Sequence, residues 1–176
     1  MQKYIKWNLI KYFNSISISL IGSEAFKLAS SFYIFKITGS FWLVTILYLL
    51  IQLPYIIIYS FSNKLIKILK DKNAHVLCDI SSAIFLGIVF GISFWYLQEE
   101  LFSVVLITLS TILGTIHAYR FIHLKNVLYY ITSNYDNLKK FNIANSIALS
   151  VGFVLSPIFS FYLYNYLQFY WMIAFT

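Results

Sequence analysis

Charge is what this chain has least of. Only 11% of its 176 residues are Asp, Glu, Lys or Arg, less than half the roughly 25% usual for a soluble domain. A water-soluble domain of this length could not cover its surface with solvated side chains, so that class is excluded. Negative charge is scarcer still: six Asp and Glu against thirteen Lys and Arg leave a net charge of +7. Cysteine is reduced to Cys78, which excludes an intramolecular disulfide framework, and no Cys/His spacing matches a metal site. His75, His117 and His123 are scattered. The last two are not at the i, i+3 or i, i+4 spacing that puts two ligands on one helical face. No glycine loop fit to cradle phosphate and no nucleophile–base constellation occurs, so an enzyme, a cofactor or a bound metal has no residues to rest on. Period-two alternation is also missing, which excludes a membrane β-barrel.

What the chain does have is apolar length, with 60% hydrophobic and 20% aromatic residues. A bilayer core takes about 20 mostly apolar residues per helix. The runs predict spans at 12–35, 41–61, 74–97, 101–123 and 141–164, and a last stretch at 166–176 too short to cross. The expected fold is therefore all-α: one polytopic transmembrane bundle over residues 1–176, with five full spans and a truncated sixth. The first span is the least hydrophobic and is rich in Ser and Gly. Glu24 and Lys27 interrupt it and no small-residue cleavage site follows, so it reads as a retained helix rather than a signal peptide. Pro54 and Pro157 lie inside spans and should kink them, because proline nitrogen cannot donate to the helix ladder. Gly152 lies near Pro157, and Gly87 with Gly91 forms a G-x-x-x-G pair in the third span, a pattern suited to close helix packing.

The loops give orientation. Lys3, Lys6 and Lys11 precede the first span. Lys64, Lys67, Lys70 and Lys72 separate the second from the third, and Arg120, Lys125, Lys139 and Lys140 flank the gap between the fourth and fifth. These are eleven of the thirteen basic residues. Glu99 and Glu100 occupy an alternate turn. Positive charge inside predicts a multi-pass cell-membrane protein with a cytoplasmic N-terminus. The same placement argues for the lipid bilayer as partner and against nucleic acid. Trp7, Trp42, Trp95, Tyr164 and Trp171, near span ends, read as headgroup anchors.

Charged groups inside a span are functional candidates, because hydrocarbon disfavours them by several kcal/mol. Glu24 and Lys27 are three residues apart, so they share a helical face. They are either a self-neutralising pair or a cavity-lining pair on a substrate or proton pathway, with Gln52 as a further polar candidate. Asp79, near the cytoplasmic end of the third span, is expected to cap the helix or to pair with Lys67 or Lys70. Asn145 is expected to hydrogen-bond across helices.

Four segments carry a family resemblance. They are Phe35-Lys36-Ile37-Thr38-Gly39-Ser40 before the second span, Leu53-Pro54 within it, Asp79-Ile80-Ser81-Ser82 opening the third, and Ile143-Ala144-Asn145-Ser146 opening the fifth. Ser156-Pro157 falls where a "G-P" would stand. In this order the chain resembles the N-terminal half of a major facilitator superfamily transporter, in the branch of drug and macrolide efflux permeases. The resemblance implies a small-molecule transport function and a gating role for the loop between the second and third spans. That loop departs from the family's pattern: Asn63 stands for a glycine, Lys67 for an acid, Ile68 and Asp71 for arginines, and only Lys72 keeps its charge. The resemblance also implies that one half needs a complementary half or a second copy to enclose a substrate site. A small accessory or immunity protein that binds another membrane component is the alternative, and a remnant without activity a third.

Overall fold

Hydrocarbon offers no water to satisfy backbone amides, so an apolar chain must satisfy them internally, and helices do this within one segment. The computed structural model describes residues 2–93, 99–132 and 135–166, and among these every regular element is a helix. They are α1 (Gln2–Thr38), α2 (Phe41–Ser60), α3 (Ser62–Leu65), α4 (Asp71–Ser93), α5 (Glu99–Ile131) and α6 (Tyr135–Tyr166). The predicted all-α class holds for the described residues.

Four of these helices are long and apolar enough to cross a bilayer, over Phe41–Ser60, Asp71–Ile92, Leu101–Leu128 and Asp136–Tyr162. The chain is thus a membrane protein by its helices. These four overlap the expected second to fifth spans, but three of them start earlier or end later on the lysine-bearing side. Lysine and arginine are good helix formers, so a basic flank does not stop a helix. The expected first span is not confirmed. It lies within α1, but α1 is not among the four. Asn14, Glu24, Lys27 and the serines at 15, 17, 19, 23, 30 and 31 make it too polar. The partial span expected at 166–176 lies, beyond Tyr166, outside the described residues.

At 1.5 Å per residue the 37 residues of α1 extend roughly 55 Å, well beyond a 30 Å hydrocarbon core. Its first turns, with exposed Lys6, Trp7 and Lys11, fit the headgroup layer rather than the hydrocarbon. The other end closes at Gly39, whose φ of +63° is the left-handed conformation that glycine adopts without strain. The Gly39 amide donates to the Phe35 carbonyl at 2.8 Å, and the Ser40 amide donates to Thr38 Oγ1 at 3.2 Å. The Lys-Ile-Thr-Gly-Ser segment is thus a helix stop and a turn.

α1 packs along α6, while α5 is flanked by α2 and α4, and α1 also touches α2 and α5. A dry core joins Phe26, Ala29 and Ile34 of α1, Leu47 and Ile51 of α2, Val89 of α4, and Phe102, Leu106, Leu109 and Leu113 of α5. Tyr33 sets its ring edge-on to Phe102, with centroids 5.4 Å apart. In lipid such contacts stabilise by close packing rather than by release of water.

Two glycines make close crossings. A Cβ on Gly114 would stand 2.9 Å from the backbone oxygen of Ile51, and one on Gly152 would overlap the Leu20 side chain. The expectation for Gly87 and Gly91 is corrected: nothing lies within 4 Å of either position. Gly87 instead lines an open cavity together with residues of α1 and α5. Both prolines sit inside continuous helices. Pro157 leaves the Phe153 carbonyl without its amide donor, and Ser156 Oγ donates to that carbonyl at 3.4 Å. Ser156 thus partly compensates the proline beside it.

Candidate functional site

Tyr12, Ser15, Ser19, Ser23, Glu24 and Lys27 of α1 line a cavity of about 380 Å³ bounded by α1, α2, α5 and α6. Glu24, Lys27 and Gln52, the three pathway candidates, all line it. Three-residue helical spacing brings the first two together, and Lys27 Nζ donates to Glu24 Oε1 at 2.5 Å. Their side chains are only 17% and 15% exposed, and so sheltered by the bundle. Gln52 is exposed at the cavity wall.

Around this pair stand groups that sequence reasoning did not assign to a site. Tyr55 and Tyr59 of α2, His117 and Arg120 of α5, and Asn145 of α6 also line the cavity. Tyr12 Oη donates to Asn145 Oδ1 at 3.3 Å across the α1–α6 contact. Arg120 was counted with the loop charges, yet it lies within the long α5 helix, three residues beyond His117. That interior position and that spacing were the signals that could have found it.

Arg120 joins three helices. Its Nε lies 3.3 Å from Asp79 Oδ1 of α4, and its Nη1 donates to Ser19 Oγ of α1 at 3.2 Å. The expected partners of Asp79, Lys67 and Lys70, are therefore replaced by Arg120. A single nitrogen-to-oxygen contact to a carboxylate that is 58% exposed is a weak ion pair. Asp79 does not line the cavity just described. It lines a second one of about 620 Å³ between α1, α4 and α5, which shares Ser15, Ser19, Ser23, His117 and Arg120 with the first.

The loop residues take a different place. Asn63, Lys67 and Lys72 are exposed. Asp71 is in the first turn of α4, where a carboxylate suits the helix dipole. It accepts from His123 Nδ1 at 2.7 Å and from Asn126 Nδ2 at 2.9 Å, both on α5. His123 is fully buried. Asp71 thus fastens the start of α4 to α5 and reaches neither Glu24 nor Lys27. Of the gating-loop candidates, Asp71 and Asp79 make contacts to α5, and no described bond joins them to each other.

The two regions are stacked along the bundle. The cavity uses residues 12–27 of α1, 52–59 of α2, 117–124 of α5 and 145–153 of α6. These are the halves nearest the lysine-rich helix ends. The dry core uses residues 26–34, 47–51 and 102–113 of α1, α2 and α5, the opposite halves. A polar chamber on one side and a tight apolar seal on the other can admit a solute from one face and hold it without a leak to the other.

Comparison with protein-family models, with curated proteins and with solved structures gives no match.

Proposed function

We propose that this chain is a membrane transport protein for small molecules, one half of an efflux permease of the major facilitator kind. In this reading it sits in the cell membrane with its N-terminus in the cytoplasm, and its chamber is a solute vestibule open to the cytoplasmic side. One observation carries the proposal. A single cavity collects an ion pair, a guanidinium, an imidazole, two amides and three phenols in a bundle with many exposed large apolar side chains. Hydrocarbon disfavours such groups, and a bundle that needed only to be stable would do better with apolar residues there. The lysine-rich loops supply the orientation, and the Lys-Ile-Thr-Gly-Ser turn and the Asn145 and Pro157 segments supply the family likeness. A complementary half or a second copy is the expected partner, because the resemblance implies that one half does not by itself enclose a substrate site.

The test is accumulation of a panel of fluorescent amphiphiles in cells that express the chain alone or with a candidate complementary transporter half. The wild type should lower the accumulation of at least one member several-fold. The Glu24→Gln/Lys27→Gln variant, matched for membrane abundance, should not. A wild type indistinguishable from empty cells across the panel, with and without the candidate half, contradicts the transport reading and favours an accessory role.

A further inference from the structure

Resting on the reading of the cavity as a solute vestibule, we propose that it takes an amphiphile with a single anionic head, and that Arg120 receives that head. The charge that faces the cavity is not balanced. Glu24 is already engaged by Lys27 at 2.5 Å on the same helix. Arg120 also faces the cavity, but its acid, Asp79, lines only the neighbouring cavity, which adjoins this one at Ser15, Ser19, Ser23, His117 and Arg120. An incoming ligand therefore meets a neutralised carboxylate and a guanidinium whose counter-charge lies behind it.

The guanidinium is also poorly held where it is. It gives Asp79 one contact at 3.3 Å through Nε, and it gives Nη1 to a neutral hydroxyl, Ser19, at 3.2 Å. A carboxylate, sulfonate or phosphate would be a stronger acceptor than that hydroxyl, and the planar fork suits two parallel bonds to such a group. The surroundings are mostly donors. Tyr55 and Tyr59 carry phenols, and Asn145, whose carbonyl oxygen accepts from Tyr12, has its amide hydrogens left to give. In the same lining, Ile16, Leu20, Phe121 and Phe153 offer apolar surface for a tail. The volume of about 380 Å³ falls in the range of sites for drug-sized ligands. A cationic amphiphile finds no unpaired carboxylate there and would be repelled by both Arg120 and Lys27.

Two dyes with the same ring system separate the cases: anilinonaphthalene sulfonate, which is anionic, and phenylnaphthylamine, which is neutral. Binding is read as fluorescence above that of empty phosphatidylcholine nanodiscs, with the full chain reconstituted. The sulfonate should bind about tenfold more tightly than the amine, as a charged hydrogen bond is worth about 1.5 kcal/mol or more. Arg120→Gln should remove that advantage and leave the amine unchanged. Asp79→Asn keeps the guanidinium and removes its competitor, so it should tighten the sulfonate several-fold. It decides the matter alone if Arg120→Gln does not fold. Gln52→Trp, at an exposed wall position, should weaken both dyes by narrowing the cavity. Equal affinities for the two dyes, or a sulfonate affinity that Asp79→Asn leaves unchanged or lowers, overturns the anion proposal while the vestibule stands. Binding of neither dye, or binding of both that ignores Gln52→Trp, overturns the vestibule as well.

Discussion

Glu24→Gln alone should lower the membrane abundance of this protein more than Glu24→Gln combined with Lys27→Gln. The single change removes the acceptor for the Lys27 ammonium, which lies 2.5 Å away with a side chain only 15% exposed. An uncompensated charge that the bundle mostly covers destabilises by up to about 3 kcal/mol, whereas removing both partners of a pair is often close to neutral. That difference corresponds to roughly a hundredfold in a folding equilibrium, and membrane proteins that fail to fold are degraded. Immunoblots of membrane fractions, normalised for transcript, provide the measure. Equal losses in the two variants, or a larger loss in the double, would mean that Lys27 finds water or another partner without Glu24.

Gly114→Leu should destabilise the bundle by more than about 3 kcal/mol, towards or beyond the upper end of overpacking effects. The neighbour is the backbone of Ile51 rather than a side chain that could turn aside. α2 and α5 would have to separate, opening the contacts of Leu47, Ile51 and Leu113. A Cβ at Gly87 or Gly91 meets nothing within 4 Å, so leucine there should be neutral or slightly favourable, since glycine is the weaker helix former by about 1 kcal/mol. Thermal denaturation in detergent, followed by loss of the monodisperse peak, distinguishes the positions. A Gly87→Leu protein that is as unstable as Gly114→Leu would mean that α4 is covered by a partner on that face.

The contrast between these glycines shows where the sequence was legible and where it was not. The helices α2, α4, α5 and α6 could be read because each is a long apolar run between charged flanks, and length against bilayer thickness needs no knowledge of rotation. Helix α1 was read from what interrupts it. Glu24 and Lys27 were placed together by spacing, and the unfavourable energy of a charge in hydrocarbon pointed to the cavity that they line. Rotation was the obstacle elsewhere. When every face of a helix is apolar, periodicity does not say which face meets a neighbour. The G-x-x-x-G pair therefore looked like a crossing, while the isolated Gly114 is one. Pairings across helices were equally hidden. Arg120 with Asp79 and Ser19, and Asp71 with His123 and Asn126, join residues far apart in the chain through side chains whose meeting depends on how α4 and α5 pack.

The central claim is that a wetted polar chamber lies inside a bundle whose outer faces meet lipid. Thiol reactivity tests it directly, because maleimides react with thiolates and thiolates do not form in hydrocarbon. In a Cys78→Ser background, single cysteines replace Ser19 and Gln52 on the cavity wall, Ile56 and Ile147 on the outward faces, and Lys70 in the loop. In intact cells a membrane-permeant maleimide should label Ser19→Cys, Gln52→Cys and Lys70→Cys and leave Ile56→Cys and Ile147→Cys untouched. An impermeant one should leave Lys70→Cys unlabelled. Labelling of Ile56→Cys as fast as Gln52→Cys, or of Lys70→Cys by the impermeant reagent, would contradict the arrangement.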